Sequence, residues 1–114
     1  MEKSIFVKII QREIPATIVF EDEQVIAFED IQPKAPIHII IVPKKIITTL
    51  NEITPEDNEL LGYCLNVAKK IAFMKHIHES GYRVVMNCNY DGGQTVYHLH
   101  FHLLGGHKLN HNFA

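Results

Sequence analysis

Apolar residues at helical spacing open the chain. Ile5, Phe6, Ile9 and Ile10 share one face of a short helix in "SIFVKIIQREIP". Ser4 stands where an N-cap belongs, and Pro15 ends the segment. The period then shortens. "TIVFE" and "VIAFED" predict two strands about a tight turn at Asp22–Glu23. "IQPKAP" reads as a loop. "IHIIIVP" is too short for a helix and rich in β-branched residues, which predicts a central strand buried on both faces. His38 is its only polar member.

The helical period returns over "TPEDNELLGYCLNVAKKIAFMKH", the longest predicted element. Thr54 caps it, Pro55 suits its first position, and Glu56, Asp57 and Glu59 lie near the positive end of its dipole. Leu60, Cys64, Val67, Ala68 and Ile71 form its core stripe, and Leu61, Leu65 and Ala72 widen the apolar arc enough to suit a second buried surface. Gly81 follows near its end. "YRVVMNCNY" predicts a fourth strand and "VYHLHFHLL" a fifth, with "DGGQ" as the loop between them and Gly105–Gly106 as the stop. The tail "HKLNHNFA" carries no pattern. This order is that of an α+β fold: one short helix, one long helix and five antiparallel strands. The whole chain, residues 1–114, reads as one domain with a core over about 4–106 and a C-terminal tail at 107–114.

Composition narrows the function classes. A hydrophobic fraction of 46% suits an ordinary core. Net charge is −2 and the basic residues are scattered, so no electrostatic case exists for nucleic acid or a membrane surface. No apolar run approaches a membrane span and no secretory leader is visible, so a cytoplasmic location is expected. Cys64 and Cys88 are far apart, lack zinc-type spacing and read as reduced thiols.

The eight histidines are the unusual feature. His98, His100 and His102 alternate with Leu99, Phe101 and Leu103. On a strand, alternate residues share a face, with Cα atoms roughly 6.5 Å apart. Three chemistries fit such a row. A solvated face would more commonly use Lys, Thr or Glu. A metal site is supported by the HxH spacing, with Cys88 or His38 as outside ligands, although the outer two histidines diverge by roughly 13 Å along a straight strand. Catalysis is supported because neutral imidazole is a nucleophile and proton carrier near pH 7. The preceding "DGGQT" offers glycines for close approach to an anion and Gln94 and Thr95 as donors. Thr95 is out of step with the even-numbered histidines, so it can join them only across a bulge or a late strand start. Taken alone, His38 fits a buried histidine bonded to a backbone carbonyl as well as it fits a member of the site. His76, His78, His107 and His111 read as surface.

The segment His98-Leu99-His100-Phe101-His102-Leu103-Leu104, with "DGGQTVYH" upstream and "IHIIIVPKK" earlier, resembles the histidine-triad (HIT) superfamily and within it the Hint branch of nucleotide-binding phosphoramidases. The resemblance implies hydrolysis of a nucleoside 5′-phosphoramidate, or an acyl-nucleotide, through a nucleotidyl-histidine intermediate that releases AMP or GMP. His100 matches the nucleophile. His38, His98 and His102 match its supporting histidines, and Thr95 stands where many members carry serine near the leaving atom. Asp30 matches the residue that holds the ribose. Asn87 matches an asparagine at the phosphate or leaving group, beside which Gly93 and Gln94 of the "DGGQT" loop are expected to bind the nucleotide, and Ile5, Phe6, Phe28 and Ile31 resemble the apolar base pocket. The resemblance further implies a homodimer with no cofactor and no metal. Many members end in a tryptophan-bearing tail that reaches the partner's site; this chain has no Trp and ends "KLNHNFA". A dinucleoside polyphosphate hydrolase, a nucleotide-binding regulatory module and a metal-binding domain remain alternative readings.

Overall fold

A computed structural model describes residues 2–113; Met1 and Ala114, the ends of the expected domain and tail, lie outside the described residues. The element order is α1 (Ile5–Ile10), β1 (Ile18–Glu21), β2 (Val25–Glu29), β3 (Ile37–Pro43), two 3-10 turns (Leu50–Glu52 and Pro55–Asp57), α2 (Asn58–Met74), β4 (Tyr82–Val85) and β5 (Phe101–Gly105). The strands form one antiparallel sheet in the order β1-β2-β3-β5-β4. The expected α+β class and strand count are both present.

β3 is central, and its residues from His38 to Pro43 are all buried. Its two faces feed two clusters. Ile39 and Ile41 pack with Cys64, Val67, Ala68 and Ile71 of α2. Ile40 and Val42 pack with Phe6 and Ile9 of α1. Alternation along a strand and two covering helices therefore account for the unbroken apolar run. The β1–β2 turn forms where expected: the Asp22 carboxylate accepts from the backbone N–H groups of Gln24 and Val25. The Tyr63 hydroxyl of α2 also donates to Asp22, fastening the turn to the helix.

Several boundaries differ from the sequence expectation. α1 ends at Ile10, well before Pro15, because Arg12 adopts a left-handed φ of 63°. Its buried face is Phe6, Val7 and Ile9, which leaves Ile5 exposed. Thr54 opens a 3-10 turn in place of α2 itself; its N–H donates to the Asp57 carboxylate at 3.0 Å. α2 ends at Met74 through His76 at φ 59°, and Gly81 serves the entry to β4. Ala72 is fully buried and Leu61 packs on the core, so of the three residues that widen the stripe only Leu65 faces outward. His78 is half-buried and stacked on Phe73 at 3.8 Å, against its expected surface place. Cys64 is a free buried thiol and Cys88 a free, partly buried one.

The largest differences flank the histidines. β4 stops at Val85 in place of Tyr90, and β5 begins at Phe101 in place of Val96. Asn89 turns the chain with φ 62°, and Gly92 lies so close that a Cβ there would meet the Cys88 carbonyl oxygen at 2.4 Å. That approach admits only glycine.

α1 holds one wall of the histidine site, so its cap has a measurable role. The Ser4 hydroxyl accepts from the Val7 N–H at 3.1 Å. Ser4→Ala is expected to cost about 1 kcal/mol and lower Tm by roughly 4 °C. An unchanged melting curve would show that the cap is idle.

Candidate active site

The three histidines reach one region from irregular backbone as well as strand. Only His102 belongs to β5; His98 and His100 precede it, after a bend at Val96–His98. The alternation still sorts the side chains. Leu99, Phe101 and Leu103 join the α2 cluster. On the other side the Phe6 ring of α1 meets His100 edge-on, with centroids 4.8 Å apart, and approaches His98 at 6.3 Å. The bend also resolves the parity of Thr95, which lines the same cleft as His100 and His102. The cleft holds about 320 Å³. Ile5, Phe6, Phe28 and Ile31 all line it, and so does Asp30.

Hydrogen-bond partners fix each ring's tautomer, because a carbonyl only accepts and an amide N–H only donates. His98 Nε2 lies 2.7 Å from the Pro43 carbonyl, so Nε2 carries the proton. Its Nδ1 is buried with no partner among the described residues. His100 Nδ1 lies 2.7 Å from the His98 carbonyl and donates to it. The neutral ring must then keep its lone pair on Nε2, the nitrogen a nucleophile needs.

A second line of bonds sets His102. The Lys34 N–H donates to His38 Nδ1 at 3.0 Å, so His38 is protonated at Nε2. His38 Nε2 donates in turn to His102 Nδ1 at 2.9 Å. His102 is thereby left with Nε2–H as a donor. The Asp30 carboxylate, 3.5 Å from His38 Nε2, favours the proton on that nitrogen. The His100 and His102 rings are 5.0 Å apart. One bare nitrogen and one N–H thus sit side by side in one cleft.

Burial holds all four rings neutral. It pushes His38, His98 and His100 below the ordinary histidine range. His102 is pushed down to about 4, first by burial and then by its neighbours His100 and His38, with Asp30 partly opposing. The unfolded chain takes up these protons near its ordinary pKa of about 6.5 while the folded chain resists. Stability supplied by the neutral rings is therefore complete above about pH 6.5 and lost progressively as pH falls toward 4. Urea midpoints at pH 7.5, 6 and 5 should fall in that order. A midpoint constant from pH 7.5 to 5 would contradict the neutral, buried cluster.

Asp30, His38 and His102 present ligand atoms within 4.8 Å of one another, so they test the metal reading. A histidine that ligates through one nitrogen donates a hydrogen bond from the other. His38 Nδ1 instead accepts the Lys34 amide, which leaves no lone pair on Nε2 for an ion. The trio does not fit a metal in this arrangement.

The remaining expected residues sort by position. The Gln94 amide is fully engaged: its Nε2 donates to the Thr48 and Val96 carbonyls and its Oε1 accepts from the Asn89 N–H. It acts on the site by holding the loop that carries Thr95. Asn87 Nδ2 donates to the Gly92 carbonyl at 2.7 Å, beside Gly93, whose φ is 82°. Neither Asn87 nor Gly93 lines the cleft of His100. The contributions of the Lys34 amide and the Pro43 carbonyl carry no side-chain signal and escaped the sequence reading. Ile9 and Ile40, which also line the cleft, are signalled only by apolar periodicity.

Comparison with known proteins identifies the family. The HIT-domain family profile matches residues 11–109. A purine nucleoside phosphoramidase of Escherichia coli (strain K12) is 53% identical over 108 residues, covering 95% of this chain and 91% of that protein. A 14 kDa zinc-binding protein of Zea mays is 51% identical, covering 94% of this chain and 84% of that one. The crystal structure of a HIT family hydrolase from Legionella pneumophila superposes with a TM-score of 0.94 at 51% identity, covering 96% of this chain and 97% of that one. With most of its length matched by the family profile and by relatives at this identity, the chain belongs to the HIT domain family.

Proposed function

We propose that this protein is a nucleotide hydrolase that cleaves nucleoside 5′-phosphoramidates, and acyl-adenylates, to the nucleoside monophosphate. The observation that carries the reading is the tautomer of His100, whose lone pair is held on Nε2 by the bond from Nδ1 to the His98 carbonyl. Nε2 attacks the α-phosphorus. A histidine N–P bond forms as the substrate P–N bond breaks and the amine leaves with a proton taken from solvent; in an acyl-adenylate the P–O bond to the acyl group breaks and the carboxylate leaves. Water then attacks the phosphorus and returns His100. Covalent catalysis divides one hard displacement into two easier ones. His102 Nε2–H and the Thr95 hydroxyl donate to phosphate oxygens or the departing nitrogen, where preorganised donors stabilise developing charge.

The nucleotide half takes the other end of the cleft. Phe28 and Ile31 cover a purine, and Asp30 accepts from the ribose hydroxyls. Its Oδ1 already accepts from the Gln32 N–H at 2.7 Å, which holds the carboxylate in place. Asn87 and Gly93 approach the phosphate or leaving group when substrate is bound. Relatives named as a purine nucleoside phosphoramidase and as a HIT hydrolase support the same reaction class. Two copies pairing through α2 and β4 fit the outward Leu65, Phe73 and Tyr82. No helix of the described residues is long and apolar enough to cross a membrane, and the protein acts in the cytoplasm.

The test is a turnover panel. Adenosine and guanosine phosphoramidates and acyl-adenylates should be hydrolysed, with dinucleoside polyphosphates far slower. Preferred turnover of the dinucleotides would move the protein to another class of hydrolase. Activity should also survive exhaustive treatment with EDTA. Loss on chelation, with recovery on adding zinc, would restore the metal reading.

A further inference from the structure

A second cleft of about 620 Å³ adjoins the histidine site. It lies between the start of α1, the segment after β3 and the bend before β5. Ile46 and Thr48 line it from one side and Tyr97 from another. Ile5, Thr95 and Val96 line both clefts, so they form the rim between them. Its walls are mainly apolar, and three of its large residues are held open to solvent: Ile5 is 47% exposed, Ile46 65% and Tyr97 45%. Three exposed apolar side chains from separate parts of the chain, converging on one depression, mark a binding surface better than a scattered set would.

Position identifies the occupant. This step rests on the nucleotide reading of the first cleft. A substrate with two halves joined at one phosphorus has its nucleoside half at the Asp30, Phe28 and Ile31 end. The other half then leaves the reaction centre at the Thr95 end, across the shared rim. We propose that the second cleft is the subsite for the leaving amine, and that it selects amines with an extended aliphatic or aromatic body over small ones. Glu2 and Lys3 are the charged residues along its edge, and the Lys3 ammonium is already engaged by Gln11 and Glu13 at 2.6 and 2.5 Å.

Ile46 and Tyr97 belong to neither the nucleophile nor the nucleotide pocket, so their variants isolate the subsite. AMP phosphoramidates of ammonia and of 4-phenylbutylamine serve as a matched pair. Ile46→Asp and Tyr97→Ser should each lower kcat/KM for the phenylbutyl compound about tenfold, the scale of a lost apolar pocket contact. The ammonia compound should be unaffected within roughly twofold. Equal effects on both compounds, or none, would overturn the proposal. A binding arm is independent of turnover. The 4-phenylbutyl ester of AMP should bind wild type more tightly than AMP does, and lose that advantage in Ile46→Asp. Equal affinities of ester and AMP for wild type would also overturn it. If Ile46→Asp instead converts a dimer to monomers, the surface is an interface between copies and the proposal falls.

Discussion

His100→Ala is expected to lower turnover of an adenosine phosphoramidate by at least about 10³-fold while AMP still binds. The size follows from the removal of the proposed nucleophile. Water must then attack the phosphorus directly, with only positioning and charge stabilisation left to help. His98 and His102 cannot substitute. His98 is fully buried with its Nε2–H bonded to Pro43, and His102 Nδ1 is occupied by His38. His100→Asn is a useful companion because its amide can keep a donor toward the His98 carbonyl. Titration of AMP against both variants separates binding from chemistry. Turnover within tenfold of wild type in either would remove His100 from its assigned role.

The second large effect belongs to His38. His38→Phe fills the space with an apolar ring but leaves the Lys34 N–H unpaired and His102 Nδ1 free to take the proton. In that tautomer His102 presents a lone pair where a donor is needed. A fall in kcat of roughly 10²-fold with little change in KM is expected, the scale of a misdirected proton donor. A buried histidine of purely structural importance would lower Tm and leave kcat alone. The split between kcat and KM, read beside the melting curve, distinguishes the two.

These two effects show where sequence reading reaches and where it stops. Faces were legible. The period of two places Leu99, Phe101 and Leu103 against α2 and the histidines on the side of α1, and it does so even though His98 and His100 lie outside the ladder. The centrality of β3 was legible in its unbroken apolar run. Boundaries were less so, because backbone conformation ended the elements. Arg12, His76 and Asn89 take left-handed φ values; Asn and His favour that region more than most residues, but Arg does not, and at each position a right-handed conformation was equally open to the side chain. The bend at Val96–His98 was anticipated only as a condition on Thr95. The proposed roles within the triad rest on resemblance, to which the structure adds the partner of each ring. What separates His100 from its neighbours is which carbonyl or amide each ring meets, and those groups come from backbone that has no letter in the sequence: His98, Pro43 and Lys34. Gln94 shows the reverse case. Its placement in a glycine loop suggested a donor to substrate, whereas folding turns its amide inward to three backbone groups.

The central claim is that His100 Nε2 becomes covalently bonded to phosphorus during each turnover. It is tested most directly by mixing enzyme with an adenosine phosphoramidate, quenching in alkaline denaturant within one turnover, and mapping the protein by mass spectrometry. A single adenylyl adduct on the peptide that carries His100, formed before AMP appears and absent from His100→Ala, is the predicted result. Release of AMP at the full rate with no adduct, or an adduct on another residue, would contradict it.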